Sequence, residues 1–269
     1  LVATPIGNLE DITLRAIRIL GEVDLIAAED TRHTLKLLNH LKVKKPLISY
    51  YKQIEKTKAI FLVEKLLCGE NIALVSDAGT PGISDPGEAI VKKAIENDIE
   101  VIPVPGACAV ITSLMASGLS AEEFSFIGFL PVNKREKRKK LEEYKNLTQT
   151  LICYEAPHKL INTLESMQEV LGNREIVVAR ELTKIHEEFM RGKISEILDK
   201  YKEAKGEFVI IIEGSKQNEE EIAIESMKSK TLEEHLEVYL KKGMEKKDAI
   251  KQVAKDRNVQ KNEIYQYFL

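Results

Sequence analysis

Short apolar runs alternate with longer stretches of helical period through residue 118, the pattern of βαβ units around a mainly parallel sheet. Residues 1–3, 25–28, 47–49, 72–75 and 100–104 read as strands. Between them, 12–20, 34–40, 54–67, 88–96 and 109–117 place apolar residues at i, i+3 and i+4, the spacing of one buried helix face. Gly21, Gly69 and Gly118 stand where those helices should stop. A second series follows, with strands at 124–129, 150–154, 176–179, 189–191 and 208–212 and helices at 134–145, 158–171 and 194–202. Two strands back to back around 181–191 imply an antiparallel pair, so this second sheet is expected to be mixed.

The pattern changes once more after Gly214. Lys216-Gln-Asn-Glu-Glu-Glu221 is polar throughout and reads as a connector. Beyond it the chain is helical only: Thr231-Leu-Glu-Glu234 is a capping box, and Leu232, Leu236, Tyr239 and Leu240 share a face. Gly243 separates that helix from two more at 247–255 and 261–268. The expected fold class is α/β: two α/β domains plus a small C-terminal helical region. Its parts are an N-terminal domain at 1–119, a second at 120–215 with the hinge at 120–123, a polar linker at 216–230 and a helical region at 231–269. The helical tail suits either packing or dimerisation, or contact with RNA.

Composition narrows this little. At 269 residues, 43% hydrophobic and 31% charged, the chain can build proper cores inside a well-solvated surface. A net charge of -3 means that any nucleic-acid contact must come from local basic patches. Cys68, Cys108 and Cys153 form no C-x-x-C pair, which argues against a disulfide framework or a zinc site, and no metal is expected. No apolar run reaches the ~18–20 residues of a membrane span. A soluble, cytoplasmic protein with no membrane or DNA partner is therefore expected. Leu1-Val-Ala3 resembles the tail of a strand, so a few residues are expected to precede it.

The chemistry is expected in the loops that follow the strands, because open α/β sheets bind ligands at the carboxyl ends of their strands. After 72–75 comes S-D-A-G-T-P-G-I-S, Ser76 to Ser84, followed by Asp85 and Pro86. Asp85 and Pro86 read as N-cap and first residue of the next helix, whose exposed N–H groups would face the cleft. The loop lacks the Lys-Ser/Thr pair of a P-loop, and no strand is followed by G-x-G-x-x-G, which removes the usual evidence for a nucleotide or dinucleotide. A tight turn without a ligand has the same spacing. Pro103-Val-Pro-Gly-Ala-Cys108-Ala109 places small residues where a backbone could approach a ligand or pack closely on the sheet. Ala28-Glu-Asp-Thr-Arg32 sets two carboxylates and a guanidinium close together, which alone fits a solvated helix start.

Together with T-P-I-G-N-L-E-D-I-T at 4–13, Y-E-A-P-H at 154–158, R-E-L-T-K at 180–184 and K-G-E-F at 205–208, these loops resemble the tetrapyrrole methylase superfamily. Within it they are similar to the small-subunit ribosomal RNA cytidine 2'-O-methyltransferases, which act in the decoding region of 16S ribosomal RNA. The resemblance runs from Leu1 to about Gly214 and continues more weakly into the tail. It implies S-adenosylmethionine bound in a cleft between the two domains. Carried over position by position, Ile6, Gly79, Ile83, Cys108, Ala109, Tyr154, Leu182 and Glu207 would line the cofactor, with Asp77 beside them. Many superfamily members have serine or threonine where this chain has Cys108, so a hydroxyl contact is absent there. The resemblance also implies a homodimer and a partner that is ribosomal RNA or the small ribosomal subunit.

Methyl transfer to a ribose hydroxyl needs alignment and removal of a proton. Glu155, His158, Glu181 and Glu29 are the candidates for that role, with a helix-start role open for His158 and a structural hydrogen bond for Glu155. RNA would be held by phosphate-neutralising groups. Lys134, Arg135, Lys137, Arg138, Lys139 and Lys140 form the basic run, and Arg32 and Lys184 are further candidates at strand ends facing the cleft. The rival readings are a tetrapyrrole (precorrin-type) methyltransferase, a methyltransferase of a protein side chain, and a non-catalytic RNA-binding ribosome-assembly factor with this fold.

Overall fold

The structure is a computed structural model that describes residues 1–201, 205–216 and 219–267. After a short 3-10 turn at Leu9–Asp11, the first half runs α1 (Leu14–Glu22), β1 (Leu25–Ala28), α2 (Thr31–His40), β2 (Leu47–Ser49), α3 (Glu55–Leu67), β3 (Ile72–Val75), α4 (Glu88–Glu96) and α5 (Ala109–Met115). Strands β2, β1 and β3 form a parallel sheet in that order. Their side chains alternate between two cores. Ile26, Ala28, Ala73 and Val75 meet Ala16, Leu20 and Leu38 of α1 and α2 on one face, while Leu25, Ala27 and Leu74 meet Ala59, Leu62 and Ile90 of α3 and α4 on the other. A sheet covered on both faces is what a run of apolar parallel strands requires.

Two expected strands of this sheet, 1–3 and 100–104, are reduced to single bridges. Val2 N–H donates to Leu74 O, Ala3 N–H to Val104 O and Val104 N–H to Leu1 O, so both segments extend the sheet beyond β3. Pro103 and Pro105 lack the N–H groups that a longer ladder would use. Thr4 then exchanges both backbone hydrogen bonds with Gly79, which draws the first loop onto the loop after β3.

The second half runs β4 (Phe124–Phe129), α6 (Lys134–Tyr144), β5 (Thr150–Glu155), a 3-10 turn at Pro157–Lys159, α7 (Leu160–Leu171), β6 (Glu175–Arg180), β7 (Glu188–Lys193), α8 (Ile194–Lys200) and β8 (Phe208–Ile212). The sheet order is β4-β5-β8-β6-β7. Only β4 and β5 pair in parallel; the other pairs are antiparallel, giving a mixed sheet. Val110 and Leu114 of α5 pack on it with Ile152, Val177, Val209 and Ile211. Both sheets fall within one compact unit, residues 1–141 with 149–213.

Residues 142–148 with 214–269 form the second unit. Its helices are α9 (Glu219–Lys228), α10 (Leu232–Lys241), α11 (Lys246–Arg257) and α12 (Lys261–Tyr267). The stretch 216–230, expected as a linker, therefore carries a helix, because Met227 is buried against the apolar faces of α10 and α11. The expected connector residues 217 and 218 lie outside the described residues, as do 202 and 268 at the ends of expected helices. The capping box at Thr231 forms as expected, with Glu234 N–H donating to Thr231 Oγ1 and Thr231 N–H to Glu234.

Candidate active site

The carboxyl ends of the strands meet around a cavity of about 450 Å³. All nine residues expected at the cofactor line it: Ile6, Asp77, Gly79, Ile83, Cys108, Ala109, Tyr154, Leu182 and Glu207. They come from loops far apart in the chain, and the backbone explains how they converge. Gly79 has φ +81°, a conformation that L side chains rarely adopt, and a Cβ there would stand 3.2 Å from Ile6 Cγ2. A Cβ on Gly106 would meet Ala3 Cβ at 3.0 Å. The Gly7 backbone packs so closely on the turn at 182–184 that a Cβ would fall 2.5 Å from Lys184. Each glycine allows two loops to touch.

The loop after β3 differs from its expected form. Asp85 does not cap α4, which starts at Glu88 with Gly87 at the N-cap. Glu55, at the start of α3, supplies the capping carboxylate: Gly87 and Ala89 N–H donate to its Oε1 at 2.8 and 3.1 Å. Two features made the Asp-Pro pair misleading. Gly87 takes φ +157° and packs on Gly82, so the chain turns once more before the helix begins. A distant carboxylate then does the work of a local cap.

Freed from capping, Asp85 lines the cavity together with Glu29 and Asp77. Burial and the neighbouring Glu29 carboxylate push the Asp85 carboxyl up to about 6. Burial also raises Glu29. Asp77 fastens this wall, since Asp30 N–H donates to its Oδ1 at 2.9 Å and its own N–H donates to Glu29 at 3.4 Å. Apolar and aromatic residues also line the cavity: Ile6, Ile83, Leu182 and Val209, with Phe129 stacked edge-on against Tyr154 at 5.5 Å between centroids. Asp85 and Phe129 were not among the residues expected at the cofactor. The fused S-D-P spacing pointed to a cap, and nothing local in the sequence showed that the side chain would turn inward.

The four candidates for proton removal separate. Glu29 and Glu155 line the cavity; Glu181 and His158 do not. His158 is exposed on the 3-10 turn. Glu181 accepts from Glu207 N–H at 2.9 Å and from Lys184 at 3.1 Å, and against the upward push of burial these bonds hold its carboxylate low. Its role is to join the strained turn at 181–184, where Glu181 and Thr183 have positive φ, to the segment before β8. Glu155 accepts from Ala156 N–H and from the Thr163 hydroxyl.

The expected RNA contacts also divide. Lys134, Arg135, Arg138 and Lys139 are exposed on α6, and Lys134 and Arg138 both pair with Glu169 of α7. Lys140 is half-buried. Lys137 is 4 % exposed, so it does not belong to the solvent-facing set; its position on the helix turns it inward beside Leu141. Arg32 and Lys184 were expected to face the same cleft and do not line it. Arg32 is held by Asp30, whose carboxyl that hydrogen bond lowers to about 2, and it borders a shallow groove with Ser49 and Lys58. Lys184 bridges Glu181 and Glu207 and borders another groove with Asn8 and His186.

A family model for tetrapyrrole (corrin/porphyrin) methylases matches residues 1–198. The chain belongs to that family. It is 52% identical, over its whole length and 93% of the relative's, to the ribosomal RNA small subunit methyltransferase I of Halalkalibacterium halodurans. It is 50% identical to the protein of the same name from Bacillus subtilis, over 98% of this chain and 91% of that one. Among solved structures, a diphthine synthase superposes with a TM-score of 0.60 at 14% identity, over 79% of this chain and 88% of that one, which shows a shared fold.

Proposed function

We propose that the protein is an S-adenosylmethionine-dependent methyltransferase of 16S ribosomal RNA that methylates the ribose 2'-hydroxyl of a cytidine in the decoding region. The observation that carries this reading is the one cavity lined by all nine residues expected at the cofactor, in a chain 52% identical to a ribosomal RNA small subunit methyltransferase I.

The cavity suits the donor on chemical grounds. Its volume lies in the range of small-molecule sites, roughly 300–1,000 Å³. A wall of carboxylates from Glu29, Asp77 and Asp85 complements a cationic ligand, and the Ile6, Ile83, Leu182 and Val209 surface complements a flat heterocycle. Bound S-adenosylmethionine would supply a methyl group on a sulfonium centre, whose positive charge is neutralised as transfer proceeds. The protein's part is to align the ribose hydroxyl, exclude water and take the hydroxyl proton. Glu29 and Glu155 are the two candidates at the cavity for that last step. The exposed Lys134, Arg135, Arg138 and Lys139 would neutralise phosphates of the RNA.

The reading further includes a homodimer, a cytoplasmic setting with the ribosomal substrate, and two lobes at 1–119 and 120–215 that act on either side of the cavity. Among the described residues no helix is long and apolar enough to cross a membrane.

The test is to incubate the protein with labelled S-adenosylmethionine and either naked 16S RNA or assembled small subunits, then map the label. A ribose methyl on one cytidine is expected. Label on a base overturns the reaction; no cofactor binding by calorimetry favours an assembly factor that kept the fold.

A further inference from the structure

Lys137 is the one buried member of the basic run. Its Nζ donates to Thr163 Oγ1 at 2.7 Å, and the Thr163 hydroxyl in turn donates to Glu155 Oε2 at 2.5 Å. All three residues are buried: Lys137 is 4 % exposed, Glu155 4 % and Thr163 0 %. The other Glu155 oxygen accepts from Ala156 N–H at 2.8 Å, so the carboxylate is held on two sides at the point where β5 ends in the cavity wall.

This is an unusual way to pack a helix. The next inward position one turn on is Leu141, fully buried, and an apolar residue at 137 would pack on α7 without the desolvation of an ammonium, which amounts to several kcal/mol per ion. Burial accordingly lowers the lysine's proton affinity, and the Glu155 carboxylate opposes that effect. Lys159 and Cys153 are the other titratable groups facing the pair, from the turn before α7 and from β5. An amine kept at this position despite that penalty ties α6 to Glu155 through one hydroxyl.

We infer that Lys137 and Thr163 are positioning residues that hold the Glu155 carboxylate at the cavity wall and couple the basic helix α6 to the site of methyl transfer. The inference rests on the methyltransferase reading above. Cations on the outer face of α6 would meet RNA, and the inner face would transmit the helix position to a group at the reaction cavity.

Lys137→Met, Thr163→Val and Thr163→Ser, made in the full chain, test it by steady-state methylation, RNA titration over several salt concentrations and thermal unfolding. Lys137→Met and Thr163→Val are each expected to lower kcat at least tenfold with RNA affinity and salt slope unchanged. Thr163→Ser keeps the hydroxyl and is expected to hold kcat within about twofold of the parent. The double variant Lys137→Met/Thr163→Val should be no slower than the worse single one, since both cut the same chain. Packing alone predicts the reverse order at 163, with Ser losing a methyl contact and Val nearly neutral, and that result overturns the inference. A reduced salt slope for Lys137→Met, matching its exposed neighbours, overturns it as well. Should Lys137→Met fail to fold, the Val and Ser pair at 163 decides alone. If the parent protein transfers no methyl to RNA, the functional reading fails, independently of these variants.

Discussion

Two of the buried polar networks among the described residues differ in what they border. In the first unit, Lys137, Thr163 and Glu155 form a chain that ends at the cavity. In the second unit, Asp256 accepts from Tyr239 at 2.5 Å, from Gln252 at 2.9 Å and from His235 Nε2 at 3.2 Å. Arg257 Nε donates to His235 Nδ1, which leaves Nε2 as the protonated nitrogen, and the guanidinium also bonds the carbonyls of Met227, Lys230 and Thr231. This network joins α10 and α11 to the end of α9, and its Tyr239 belongs to the same core as Leu236, Ile250 and Val253. Both obey the rule that buried charge must be paired. The first reaches the cavity wall through Glu155 while the second ties helices together, so the same physics serves a candidate site in one unit and a fold in the other.

The sharpest way to break this comparison is to remove a carboxylate from each network. Glu155→Gln keeps the shape and is expected to slow methylation about a hundredfold, on the order of a lost proton-transfer or positioning group; kinetics at saturating RNA measure it. An unchanged kcat would make the first network as purely structural as the second. Asp256→Ala strands Tyr239, Gln252 and His235 and is expected to destabilise the helical unit by about 3 kcal/mol. Denaturant unfolding should show it, with cofactor affinity unmoved.

Acid should probe the second network next. Burial lowers the His235 proton affinity, outweighing the Asp256 hydrogen bond that raises it. A histidine whose folded pKa lies below its unfolded one is bound by more protons when unfolded, so stability falls as pH drops through the unfolded value of about 6.5. Thermal unfolding of the full chain at pH 7 and 5 should show the loss, and His235→Gln should lessen it.

The smallest effect is expected at the cavity and has the opposite sign. The Asp85 carboxyl is raised to about 6, so the folded state holds its proton more tightly than the unfolded chain. Its contribution weakens as pH rises from about 4 to about 6. Asp85→Asn should therefore stabilise the protein at pH 7 by about 1 kcal/mol after allowance for solvent screening, and make no difference at pH 4. The same substitution should weaken binding of a cationic cofactor, as should lowering the pH below 6 in the parent. Calorimetry across that range checks both.

How much of this was legible beforehand depends on whether the deciding interaction was local. The helices of the first half follow apolar spacing closely, because amphipathic packing imposes its own period on the sequence. Thr231 and Glu234 announced a capping box because both partners lie within one turn. Asp85-Pro86 carried a similar local signal, but Glu55, 32 residues away from Gly87, capped the helix instead. The basic run at 134–140 read as one feature, since charge can be counted without knowing which helix face is covered. Packing of α6 then sent Lys137 inward and left its neighbours outside.

The sequence by itself determined the α/β class, the positions of most elements and, through its ordered loop motifs, the residues that gather at the cavity. Those are properties of spacing and of backbone requirements such as the glycine at 79, and they are written within a few residues of where they act. The tertiary structure alone decided which charges face the cavity, which are spent on holding turns, and which are buried in pairs. A side chain's chemistry depends on its dielectric surroundings and its partners, and for Asp85, Lys137 and Glu181 those partners come from other segments of the chain.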